Sequence, residues 1–301
     1  MTDSQILSVA TVLFRVAIMA SLRVLIFGGN GGIGQLIVDS MLTRSWHVTS
    51  VIRDSRQKAD ALRLGPKKGP KADILVCDLA RMKDEDASKI LTQVKPNYVV
   101  FAAGKKSCDY ATNYFTKLLY CSPGSMTNVN AVDRDAAKKI IKAAVSTLEV
   151  TKFLMISFPA SRRKKAPWWD NTDYQAFLDE TRAYPEIAEA KLNADEYLVA
   201  MAKQRNDESP DSFQAISLRP SWLSNAPSGR VHLGKTKFSG RVSRADVAAV
   251  AVSLLSRSDA SGWFDLVDGS DDVESAVNNA VQNNLNSIHG EDLEQMYCKV
   301  R

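Results

Sequence analysis

Gly28, Gly31 and Gly34 stand at GxxGxxG spacing in the stretch Gly28-Gly29-Asn30-Gly31-Gly32-Ile33-Gly34, directly after the apolar run Leu22–Phe27. In such a turn the first glycine permits the tight bend and the second lets backbone approach a pyrophosphate. The third lets the following helix pack closely on the strand. That helix would open with free N–H groups and the positive end of its dipole, which suit phosphate. A second chemical signal lies at Val51-Ile52-Arg53-Asp54-Ser55-Arg56, where another apolar run ends. An acidic residue at this place takes the ribose hydroxyls of NAD, whereas arginine accommodates the 2′-phosphate of NADP. Arg53 sits at the strand end, with Arg56 and Lys58 in reserve, and alternation along the strand turns Asp54 elsewhere. The expected ligand is NADP(H); a merely solvated Arg53 is the alternative.

The elements that must position these residues alternate from residue 22 onward. Strand-like runs are read at Leu22–Phe27, His47–Ile52, Ile74–Cys77, Tyr98–Ala103, Phe153–Ser157, Phe213–Leu218 and Trp263–Val267. Most are apolar throughout, as strands covered on both faces are. Amphipathic stretches lie between them: Ile33, Leu36, Ile37 and Met41; Asp133 (an N-cap candidate) through Ile140, Ile141 and Ala144; Pro185 through Leu198; and Arg244 to about Leu255. The pattern is α/β, a doubly wound, mostly parallel sheet (Rossmann fold) with a small C-terminal substrate-side portion. One domain is expected over residues 19–283, with residues 1–18 an extension outside it and 284–301 a loose polar tail. Lys105–Asn128 and Arg162–Thr181 read as insertions.

Composition closes off several classes. The net charge of +5 (39 Lys+Arg minus 34 Asp+Glu) suits an anionic ligand without requiring nucleic acid. The run Arg162-Arg163-Lys164-Lys165 reads as a solvated loop more readily than as a phosphate or nuclear-import patch. Cys77, Cys108, Cys121 and Cys298 follow no metal or disulfide spacing, and His47, His232 and His289 lie far apart, so no metal is expected. The apolar stretch Ile6–Ser21 is broken by Arg15, is too short to span a bilayer and follows Asp3, where a signal peptide carries positive charge. The expectation is a cytoplasmic protein that contacts neither membrane nor nucleic acid.

The chain resembles the atypical, extended-type short-chain dehydrogenase/reductases, in particular the NmrA-like NAD(P)-binding group, over about residues 22–283. The resemblance rests on the glycine turn, Cys77-Asp78-Leu79, Phe101-Ala-Ala-Gly104, Ser157, Ala190-Lys191-Leu-Asn-Ala-Asp-Glu196, Leu218-Arg-Pro220, Val242-Ser-Arg-Ala-Asp-Val-Ala248 and Leu266-Val-Asp-Gly269. It implies that Asp78 and Leu79 flank the adenine and that Ala102, Ala103 and Gly104 line the ribose side. It also implies that Ser157 is the catalytic serine, that Lys191 bonds the nicotinamide ribose, and that Pro220 ends the strand touching nicotinamide and substrate. In that chemistry a tyrosine acid, its pKa lowered by the lysine, works beside a serine that polarises the carbonyl. The tyrosine belongs four residues before Lys191, where this chain has Ile187. Tyr184 is the nearest substitute, although it precedes Pro185; Tyr110, Tyr114 and Tyr174 have no positional argument. Ser157 as a strand end and Lys191 as a solvated helix residue remain the bland alternatives. Trp168, Trp169 and Trp222 read either as an aromatic substrate pocket or, more simply, as packing. Ser243 and Asp246 read as a helix cap.

Three functions are weighed. The first is an NADPH-dependent oxidoreductase of a small carbonyl, quinone or flavin-like substrate. The second is a non-catalytic NADP(H)-sensing regulator with a protein partner. A sugar-nucleotide epimerase is a third, disfavoured because the chain after Pro220 is short for a substrate lobe.

Overall fold

The computed structural model describes residues 22–104, 129–209 and 212–300. The proposed extension 1–18, the insertion 105–128 and its tyrosines and cysteines lie outside the described residues. The parallel strands are β1 (Arg23–Phe27), β2 (His47–Ile52), β3 (Asp73–Val76), β4 (Tyr98–Phe101), β5 (Lys152–Ile156), β6 (Gln214–Pro220) and β10 (Gly262–Asp268). They form one sheet with β8 (Val231–Gly234) in the order β3-β2-β1-β4-β5-β6-β10-β8, in which β8 alone is antiparallel. β7 (Trp222–Ser224) and β9 (Arg241–Ser243) make a separate small parallel pair. The chain runs outward from β1 to β3, then returns to lay β4 on the other side of β1. That reversal opens a crevice at the carboxyl ends of β1 and β4, where ligands of doubly wound sheets bind. The architecture is the Rossmann-like α/β fold that the strand pattern implies.

The helices are α1 (Gly32–Thr43), α2 (Lys58–Arg63), α3 (Asp84–Val94), α4 (Ala137–Val145), α5 (Asn171–Ala183), α6 (Pro185–Glu208), α7 (Arg244–Ser256), α8 (Val273–Gln282) and α9 (Leu293–Tyr297). Period-two alternation in β1 divides the core: Val24 and Ile26 pack with Ile37, Met41 and Val250 on one face, while Leu25 and Phe27 pack with Leu91, Ile140 and Leu198 on the other. Pro185 occupies the first turn of α6, where its missing N–H costs nothing.

Several expectations change. Asp133 does not cap a helix. It lies 2% exposed inside a π-helical turn, Asn130–Ala136, that leads into α4. The segment Arg162–Thr181 is not all loop, because Asp170 accepts from the Asp173 N–H at 2.8 Å and starts α5. Trp169, Phe177 and Phe238 form a small core of their own there, with Trp168 packed against it, so these tryptophans are packing residues. The basic run is not a solvated loop at its start. The side chains of Arg162 and Glu291 are both fully buried and pair at 3.2 Å, and Arg162 also donates to the carbonyls of Ser287 and His289. Arg163 pairs with Glu196. Those contacts hold the C-terminal segment, whose Ser287 and Met296 are buried, so it is no loose tail. Among the described residues, no helix is long and apolar enough to cross a membrane.

Candidate dinucleotide site

Gly28 has φ +86°, and a Cβ there would lie 2.5 Å from the Ala103 backbone nitrogen, so only glycine fits the crossing between β1 and β4. A Cβ on Gly34 would meet the Gly28 carbonyl oxygen at 2.2 Å, which is the close helix–strand approach expected of the third glycine. Gly31 occupies the N-cap position of α1 in extended backbone and offers no side-chain cap. The first-turn N–H groups of α1 are thus not capped by that residue, as a phosphate site requires.

The crevice is a solvent-open cleft of about 210 Å³, lined by Gly28, Asn30 and Gly31 of the glycine turn. Arg53 and Gln57 lie at the β2 end, Asp78 and Leu79 after β3, and Ala102, Ala103 and Gly104 after β4. The residues singled out from the glycine turn, the β2 end and the loops after β3 and β4 therefore converge. A dinucleotide fits this donor set: glycines that clear its backbone path, an uncapped helix start, and a guanidinium at the β2 end.

Some candidates stand elsewhere. Arg56 is 87% exposed at its side chain and is clamped to Asp54 at 2.5 Å, a pairing that holds the Asp54 carboxyl down at about 2. It is not among the cleft-lining residues. Ile33 packs on the core, Gly32 lies beside Arg244, and Pro220 is buried in β6 opposite Leu266. Cleft-lining Gln57, Val129, Val132 and Asp133 were not anticipated from the sequence.

At the far end of the cleft, a Cβ on Gly104 would sit 3.0 Å from Asp133 Oδ1 and 3.7 Å from Lys191 Nζ. Lys191 and Asp133 form an ion pair at 3.0 Å, and Lys191 also donates to the Ile156 carbonyl at 3.2 Å. Lys191 and Ser157 are thereby brought to the same strand end. Ser157, however, is only 5% exposed, and its hydroxyl donates to Asp195 Oδ2 at 2.5 Å. Asp195 also accepts from Ser217 Oγ at 2.7 Å and from Arg219 at 3.2 Å. Burial pushes the Asp195 carboxyl upward, against the pull of Arg219 and the two serines. Tyr184 is not brought to Lys191. It lies between α5 and α6, its ring edge-on to Trp222 at 5.9 Å, and seven residues of helix separate it from Lys191 by roughly 10 Å of axial rise. Glu180, beside it, is pushed up to about 7 by burial despite a hydrogen bond from Trp222. Ser243 and Asp246 do cap α7, and Asp246 also binds Ser228 and the Gly229 N–H.

Comparison with known proteins agrees with this geometry. A Schizosaccharomyces pombe protein of the UPF0659 group is 25% identical over 258 residues, covering 84% of this chain and 92% of its own. A solved Bacillus halodurans protein, assigned as an NAD-dependent epimerase/dehydratase, superposes with TM-score 0.61 at 21% identity, over 86% of this chain and 100% of its own. ChuY, an anaerobilin reductase from Escherichia coli O157:H7, superposes with TM-score 0.56 at 16% identity, over 83% and 98%. At these identities the two structures share a fold. The model of the NAD(P)H-binding family matches residues 28–258, from the first glycine of the turn to beyond α7. The chain therefore belongs to the NAD(P)H-binding family.

Proposed function

We propose that the chain is an NADPH-dependent oxidoreductase whose acceptor is a conjugated quinone or flavin-like molecule. The observation that carries the choice of acceptor is the state of the expected acid machinery. Ile187 stands where a tyrosine would donate, and the Ser157 hydroxyl hydrogen is committed to buried Asp195. Reduction of an isolated carbonyl needs a positioned proton donor in the transition state. A conjugated acceptor spreads the incoming charge and takes its proton from water, so this chain's side chains suit it better. The reduced nicotinamide, when bound, supplies the hydride. Arg53 faces the adenosine 2′-phosphate, and Gly28 to Gly31 give the pyrophosphate backbone room. Lys191, oriented by Asp133 and the Ile156 carbonyl, holds the nicotinamide ribose. The NmrA-like character and the preference for NADP over NAD belong to this reading.

Steady-state NADPH oxidation is measured with menadione, with FMN and with an aliphatic aldehyde. The proposal expects turnover with one of the first two, little with the aldehyde, and loss of turnover in Lys191→Ala. Tight nucleotide binding with no oxidation by any acceptor class would instead favour a nucleotide-sensing regulator that acts through a protein partner.

A further inference from the structure

Arg244 opens α7 immediately after its Ser243 cap, yet its side chain reaches the start of α1. A Cβ on Gly32 would lie 3.2 Å from Arg244 Cδ and 3.3 Å from its Nε, so the guanidinium stem rests on the backbone of the first α1 residue. Asn225 Oδ1 accepts from Arg244 Nη1 at 2.7 Å and fixes the fork. The Arg244 side chain is in no ion pair with a carboxylate among the described residues. Asp246, the acid nearest in sequence, is instead occupied by Ser228, Gly229 and Ser243. A cation thus sits at the N-terminus of α1, whose first turn has neither a side-chain cap nor an acid, whereas the α7 end carries the Asp246 carboxylate. The α1 dipole disfavours a cation at such a point, and an anion brought there relieves the helix end and the guanidinium together.

We propose that Arg244, held against Gly32 beside cleft-lining Gly31, is a pyrophosphate ligand of the dinucleotide. The assignment deepens the cofactor reading and rests on it. It also bears on Gly32, a glycine that the GxxGxxG spacing leaves free: a Cβ there would press on the arginine stem and shift it by a few tenths of an ångström. Arginine suits this role because its planar fork keeps two N–H groups for phosphate while a third is held by Asn225.

Dissociation constants for NADPH, NADH and adenosine 2′-monophosphate, which lacks the pyrophosphate, are measured in wild type, Arg244→Ala and Arg244→Lys, together with melting temperatures without nucleotide. Arg244→Ala should weaken the dinucleotides by roughly ten- to a hundredfold, the range of one hydrogen bond between charged groups. Arg244→Lys should fall between, and adenosine 2′-monophosphate binding should not change. The nucleotide-free melting temperature should hold or rise, because a cation leaves the uncapped N-terminus of α1. Wild-type dinucleotide affinity in Arg244→Ala would overturn the assignment alone. So would a lowered melting temperature with equal loss for all three ligands, since that marks a structural arginine. Failure of the wild type to bind any of them would overturn the cofactor reading itself.

Discussion

Replacing Ser157 with alanine separates a catalytic serine from a buried structural one. The hydroxyl donates to Asp195 Oδ2 at 2.5 Å, and the serine is 5% exposed. Hydrogen bonds to charged groups contribute about 1.5–3 kcal/mol, and an acceptor left buried and unpaired costs more than an exposed one. Asp195 keeps Ser217 and Arg219 after the substitution, so the lower end applies, about 1.5 kcal/mol. For a chain of 301 residues that corresponds to a fall in melting temperature of about 2–3 °C. Turnover with a quinone or flavin should stay within about threefold of wild type, because the hydroxyl hydrogen already has its acceptor. A serine that stabilised a developing oxyanion would instead cost about 10²–10³ in kcat when removed. Calorimetric melting and steady-state kinetics on the same preparation read both quantities. A hundredfold drop in kcat with unchanged melting temperature would refute the reasoning.

Two further perturbations follow from buried charges. Glu180, pushed up to about 7 from an ordinary value of 4.5, binds a proton in the folded protein that the unfolded chain has released between those pH values. Its contribution to stability is therefore full below about 4.5 and is lost as pH rises through 7; Glu180→Gln should flatten the melting-temperature profile across that window, and an unchanged slope would count against the buried carboxyl. Glu291→Ala leaves Arg162 buried without its carboxylate, which should cost about 3 kcal/mol in chemical denaturation and raise amide exchange from residue 285 onward; exchange confined to the last turn would contradict the clamp.

The sheet was legible in the sequence because its strands carry continuous apolar runs, and the glycine turn because backbone crossings such as Gly28 against Ala103 tolerate no side chain. Short elements outside the main sheet escaped: β7 and β9 have three residues each, too few for any period to show. The C-terminal segment was misread for a different reason. Its attachment runs through Glu291, a residue whose type signals solvent and whose partner Arg162 lies far away in sequence. Asp133 was misread because its partner, too, is set by tertiary packing. A lone acid ahead of an apolar stripe resembles a cap, and its pairing with Lys191 depends on how α6 crosses the end of β5. Ser157 was placed correctly at the strand end, but its commitment to Asp195 follows from tertiary packing that no local spacing encodes.

The most direct test of the central claim is a titration of the purified protein with NADPH and NADH, in wild type and in Arg53→Ala. The account predicts NADPH binding tighter than NADH in the wild type. In the variant NADPH should weaken by about ten- to a hundredfold while NADH changes little, because the proposed contact of that guanidinium is with the 2′-phosphate alone. Equal affinities for the two nucleotides, unaffected by Arg53→Ala, would contradict the NADP(H) assignment, and no binding of either would contradict the dinucleotide site.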